Sequence, residues 1–81
     1  MYLTVLAPDK QIFEGEIQQV TLPGSAGGFQ VFRDHASIIS TLEKGNLFYK
    51  DKTGGHTLTI EEGLVEVRDN KVVILVEAGS R

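Results

Sequence analysis

The 81-residue chain has no cysteine, no tryptophan and only two prolines. Without thiols there is no disulfide framework, no cysteine nucleophile and no Cys-ligated zinc site, and the lack fits a reducing compartment. Lys and Arg number eight against eleven Asp and Glu, so the net charge is -3 and the pI about 5.2. The basic residues are scattered singly apart from Lys50 and Lys52. That leaves no basic stripe for a phosphate backbone and excludes nucleic acid as a general partner. Apolar runs are short too. The longest, Val72–Val76, falls far below the ~20 residues of a membrane-crossing helix. Met1–Thr4 lead straight into alternating sequence with no signal-peptide pattern. A soluble chain without lipid insertion is expected, able to sit beside a membrane.

What is present is a period of two. Hydrophobic residues make up 41%, enough for a globule, and the length suits one domain over residues 1–81 that buries ~60% of its extended-chain surface. Leu3, Val5 and Ala7 alternate with Tyr2, Thr4 and Leu6 up to the turn at Pro8-Asp9. Phe13, Gly15 and Ile17 continue the alternation, and the phase then slips to Val20 and Leu22. A β-bulge near Gln18-Gln19 is expected to absorb the slip. Gly24–Gly28 reads as a loop and Phe29–Phe32 as a short strand. In His35–Leu42 the β-branched content favours a strand over a helix. Asn46–Lys50 and Thr57–Ile60 flank a turn at Asp51–Gly55, and Asp69-Asn70 is a two-residue hairpin turn before Lys71–Glu77. The unbroken Val72–Val76 predicts burial on both faces. Short strands at this spacing predict an all-β fold, a small sandwich or barrel.

No set of residues converges on chemistry. Gly24–Gly28 has no Lys and no following helix, so it is not a phosphate-binding loop. Ser25 lacks the preceding Gly of a nucleophile elbow. His35 and His56 have no ligand-spaced companions, and no metal site is expected. Asp34 and His35 are neighbours, which on a strand point to opposite faces. The carboxylates fall mostly at alternating, outward positions. No catalytic residue and no cofactor are therefore expected. A free-standing sandwich that binds a peptide or carbohydrate is an alternative reading, weakened by the six aromatics falling mostly at core-phase or loop positions.

The order of the pieces carries more than any one of them. Leu3–Pro8, Ile12–Gly15, Val20–Phe29, His35–Ile39 and Gly45, in that sequence, closely resemble the N-terminal β-sandwich domain of the epsilon subunit of F-type ATP synthases. The likeness runs from about Tyr2 to Glu77 and is most specific from Leu22 to Ile39. It implies a ten-stranded, two-sheet antiparallel sandwich in the rotating central stalk of a proton-translocating complex. Such a subunit binds the gamma subunit and the c-ring, does no chemistry, and helps couple proton-driven rotation to ATP synthesis. The implied location is peripheral, on the cytoplasmic side of a bacterial inner membrane. By position, Ser25, Ala26, Gly27, Gly28 and Phe29 match the family's c-ring-facing loop, and Ala7, His35 and Ser40 match gamma-contacting positions. Two departures stand out. The acidic residues common in that loop are replaced here by Ala26 and Gly28, and Arg33 and Ser37 stand where the family often has proline. The family's C-terminal helical hairpin, which can bind ATP, has no counterpart before Gly79-Ser80-Arg81, and the sequence leaves a natural short form and a trimmed chain both open.

Overall fold

The computed structural model describes residues 1–77. Nine strands follow one another: β1 (Tyr2–Ala7), β2 (Lys10–Glu16), β3 (Gln19–Leu22), β4 (Phe29–Phe32), β5 (Ile38–Leu42), β6 (Gly45–Asp51), β7 (Gly54–Ile60), β8 (Gly63–Arg68) and β9 (Lys71–Val76). They form a five-stranded sheet in the order β2-β1-β9-β8-β5 and a four-stranded sheet in the order β4-β3-β6-β7. The alternation predicts an all-β sandwich or barrel and the resemblance a two-sheet sandwich, and the chain forms the two-sheet sandwich. The pairing is antiparallel except between β1 and β9, which run parallel. Nine strands stand where ten were expected among the described residues, with one isolated bridge between Gly24 and Leu42 beside them.

The inner faces carry the alternating residues. Leu3, Val5, Val65, Val67, Val72 and Ile74 come from the larger sheet and meet Val20, Leu22, Val31, Leu47 and Ile60 from the smaller one, each essentially inaccessible to water. No charged or polar side chain is buried among the described residues. Folding therefore rests on apolar burial worth ~25 cal/mol per Å², without any desolvated charge to compensate. One flank is closed by aromatic stacking. The Tyr49 ring centroid lies 4.5 Å from that of Phe13 and 5.0 Å from that of His56. Phe13 belongs to an edge strand of one sheet and Tyr49 to the other, so this stack joins the layers.

Three expectations are corrected. The phase slip after Ile17 is not a bulge at Gln18-Gln19: β2 ends at Glu16, and the chain crosses to the other sheet before β3 begins at Gln19. A change of sheet inverts the inward parity as a bulge would, which is why the sequence pattern fits both. The register irregularity lies instead opposite Val5 and Leu6, where Ile12 is the extra residue of β2. Secondly, β9 is not buried on both faces. Val72, Ile74 and Val76 are buried, whereas Leu75 is 48% exposed, because no layer of the described residues covers the outer face of the larger sheet. Thirdly, Tyr2, Phe32 and Phe48 are exposed rather than in the core. Phe32 and Phe48 share the outer face of the smaller sheet, and the Phe48 ring covers Gly55, where an added β-carbon would lie 2.7 Å from it.

The hairpin turn at Asp69-Asn70 is as expected. Both residues have positive φ, 53° and 61°, the type I′ geometry whose twist matches the flanking strands.

Candidate functional site

The loop of residues 25–28 follows Pro23-Gly24 and lies at one end of the sandwich, close to Pro8, the Glu43-Lys44 turn, Glu62 and Glu77. It is tied down rather than free. The Ser25 N–H donates to the Thr41 carbonyl at 3.1 Å, and the Thr41 hydroxyl donates to Ser25 Oγ at 2.9 Å. The Glu43 N–H reaches the Pro23 carbonyl at 2.8 Å, and the Gly27 N–H closes the turn onto the Gly24 carbonyl at 3.0 Å. Gly27 has φ of 124°, a conformation that only glycine adopts without strain. Gly24 is required for a different reason: a β-carbon there would stand 2.7 Å from the Gly27 carbonyl oxygen and 2.8 Å from Cε1 of Phe29.

Of the five ring-facing candidates, Ser25, Ala26, Gly27 and Gly28 are exposed at the tip, while Phe29 turns inward against the core. The tip therefore presents backbone groups, one methyl and one hydroxyl, with no carboxylate of its own. Carboxylates do stand beside it, on Glu43, Glu62 and Glu77.

The three gamma-facing candidates do not come together as one patch. Ala7 ends β1 at the loop end of the sandwich and packs on the core. Ser40 lies mid-way along β5 on the row of Val65, Ile74 and Val5. Strands β9 and β8 intervene between β1 and β5, a separation of about 14 Å at ~4.8 Å per strand. His35 lies at the opposite end, in the crossover from β4 to β5. Its backbone N–H donates to the Phe32 carbonyl at 3.2 Å, and its Nδ1 contacts the Ala36 carbonyl at 2.7 Å. Asp34 and His35 do not form a couple, since Asp34 (φ 65°) is engaged by Asn70 instead.

Asp51, in the β6–β7 turn, is held by three hydrogen bonds. Its Oδ1 accepts from the Thr53 hydroxyl at 2.6 Å, from the Thr53 N–H at 2.9 Å and from His56 Nε2 at 3.1 Å. The hydroxyl bond first, then the N–H bond, holds its carboxyl below the ordinary value. These are turn-stabilising contacts. No group of three or more His, Cys, Asp or Glu residues is placed to hold a metal among the described residues.

One surface feature escaped the sequence reading. On the outer face of the larger sheet, Leu6, Leu75 and Leu64 stand side by side across β1, β9 and β8. Its signal was available: Leu64 shares the parity of the outward Glu66 and Arg68, and the short Asp69-Asn70 turn fixes Leu75 opposite it.

All 81 residues match the family model described as the ATP synthase delta/epsilon chain β-sandwich domain. The chain belongs to that family. It is 35% identical over 81 residues to the ATP synthase epsilon chain of Nitratidesulfovibrio vulgaris, covering 100% of this chain and 60% of that one. It is 37% identical over 78 residues to the epsilon chain of Campylobacter curvus, covering 95% and 60%. The chain thus spans about 60% of the length of these relatives. Among solved structures, it is similar to a chain in the cryo-EM structure of the Euglena gracilis mitochondrial ATP synthase (OSCP/F1/c-ring), with TM-score 0.88, 23% identity and coverage of 96% and 51%. A chain of the Tetrahymena thermophila mitochondrial ATP synthase central stalk/c-ring structure gives TM-score 0.77 at 20% identity, with coverage of 95% and 63%. At those identities the structural likeness is one of fold.

Proposed function

We propose that the chain is the sandwich module of a non-catalytic central-stalk subunit in a proton-translocating F-type ATP synthase. In this reading it binds the gamma subunit along one side and meets the c-ring with the Ser25–Phe29 loop. It does so peripherally, on the cytoplasmic side of a bacterial inner membrane, as one unit over residues 1–81 and without a cofactor. The observation that carries the reading is the match of the entire chain to the family's β-sandwich domain. The geometry supports it in two ways. The base of the loop is anchored to β5 and the residue after it by two backbone hydrogen bonds and one hydroxyl pair, and a third backbone bond closes its own turn, so a load on the loop is passed toward β5. The two sheets share one apolar core with no polar side chain buried among the described residues, so the body is stiff on the scale of a coupling element.

The test is association with the cognate gamma subunit. A specific contact should bury at least ~1,000 Å², so a complex is expected at micromolar concentrations by calorimetry or co-purification. Failure to form one at those concentrations contradicts the proposal.

A further inference from the structure

We propose that the outer face of the four-stranded sheet docks an extended acidic protein segment that carries an apolar side chain. The receiving surface is the shallow valley over β3, between Phe32 on one side and Phe48 and Lys50 on the other. This goes beyond the function proposed above, because none of the residues given a contact there lies on this face.

The valley comes from register. Phe32 stands opposite Gln19 and Gln19 opposite Lys50, while Gln30 stands opposite Thr21 and Thr21 opposite Phe48. Phe32 and Phe48 are therefore two strands apart, about 10 Å at ~4.8 Å per strand, with the polar side chains of β3 between them. Phe32 is 49% and Phe48 38% exposed, and a docked apolar side chain would take that surface out of water. The Phe48 ring is held over Gly55, 2.7 Å from where a β-carbon would stand. It thus leans toward β7 and leaves the valley open.

Charge decides the occupant. No Asp or Glu stands at an outward position of β4, β3, β6 or β7. The outer face of the larger sheet, by contrast, carries Glu14 and Glu66 in one row. Lys50 lies on the carboxylate-free face, and Arg33 and Lys52 follow at the same end, one residue beyond Phe32 and two beyond Lys50. The carboxylates beside them in sequence are already engaged, Asp34 by Asn70 and Asp51 by Thr53 and His56. A chain of net charge -3 thus keeps one sheet face basic, and an acidic segment complements it.

Other occupants fit less well. An anionic lipid surface matches the charge, but sinking this face into hydrocarbon would strip water from Gln19, Thr21 and Gln30. The face measures roughly 14 by 20 Å, short of the ~800 Å² per partner of a standard interface between two folded copies. An extended segment fits both features, its carboxylate reaching Lys50 and its apolar side chain lying between the two rings.

The test is amide-shift mapping by NMR of the labelled chain. The probes are two synthetic peptides, one alternating phenylalanine with glutamate and the other phenylalanine with lysine. They are offered to the wild type and to Lys50→Glu and Phe32→Ala variants. Both substituted residues are exposed, and each variant's own spectrum verifies its fold. The expected result is that the glutamate peptide moves amides at residues 19–21, 30–32 and 48–50 and weakens with salt. It should bind about tenfold more weakly to each variant, and the lysine peptide should leave the spectrum unchanged. Equal binding of both peptides, shifts confined to another face, or unchanged affinity in either variant overturns the proposal. So does binding to phosphatidylglycerol vesicles without binding to the glutamate peptide, or concentration-dependent self-association without peptide. Because gamma and the ring are absent from this experiment, its failure is distinct from failure of the function proposed above.

Discussion

Asn70 and Asp34, 36 positions apart in the sequence, hold each other. The Asn70 Oδ1 accepts the Asp34 backbone N–H at 2.6 Å, and the Asn70 Nδ2 donates to Asp34 Oδ1 at 3.1 Å. Both backbones have positive φ, 65° and 61°, a region that Asn and Asp tolerate better than other non-glycine residues. The pair ties the β4–β5 crossover to the β8–β9 turn and sets the position of His35 one residue later. Asn70→Ala removes both bonds and leaves a β-carbon at an unfavourable φ, so it should cost about 1–2 kcal/mol. Urea unfolding should show the midpoint lowered with the slope unchanged; an unaltered midpoint would show that the latch contributes nothing.

The loop glycines should separate cleanly. Gly24→Ala pushes a β-carbon against the Gly27 carbonyl and the Phe29 ring, and a cost of roughly 1–3 kcal/mol is expected. Gly28→Ala meets only the Leu22 carbonyl oxygen, at an ordinary 3.5 Å, and should be near neutral. Thermal unfolding of the two variants checks this, and equal losses would refute the close approach at Gly24.

Acid stability should depend on Asp51. Its carboxyl is depressed in the folded chain by Thr53, so the folded state takes up that proton less readily than the unfolded chain. Its contribution is therefore complete above the ordinary value of 3.8 and fades as pH falls through the lower folded value. Asp51→Asn should flatten the loss of Tm in that window and leave its slope at higher pH unchanged. An acid limb identical to wild type would contradict the assignment.

At His35 the prediction concerns binding. If this crossover is docked on gamma, His35→Asp places a carboxylate beside the Ala36 carbonyl in a half-buried site, and affinity should fall by about tenfold or more. Calorimetry against gamma decides, and unchanged affinity places His35 outside the contact.

Much of this fold was legible in the sequence because its strands obey a period of two and its turns use residues suited to positive φ. Asp69-Asn70 and the Asp51–Gly55 turn are examples. What periodicity could not distinguish was a bulge from a change of sheet after Ile17, since both invert parity. Nor could it tell a strand covered twice from one covered once. Val72–Val76 is apolar throughout, yet Leu75 faces out because nothing in the sheet order covers that side. The candidate loop was placed by resemblance, and its anchoring could not be read at all. The Ser25–Thr41 pair joins residues 16 apart through a sheet-to-loop contact that local pattern does not encode. The carboxylates of Glu43, Glu62 and Glu77 beside the loop were missed for the same reason, as they come near one another only in three dimensions.

The absence of cysteine makes the central claim directly measurable, because one introduced thiol is then the chain's sole cross-linking site. Ala26→Cys lies at the exposed loop tip, and a short photoactivatable cross-linker attached there should capture the c subunit in membranes carrying the assembled synthase. A c-subunit adduct is expected from Ala26→Cys and none from Thr57→Cys, which lies exposed on β7, the edge of the four-stranded sheet far from β4. Adducts at position 57 alone, or none to the ring from position 26 in an assembled complex, would contradict it.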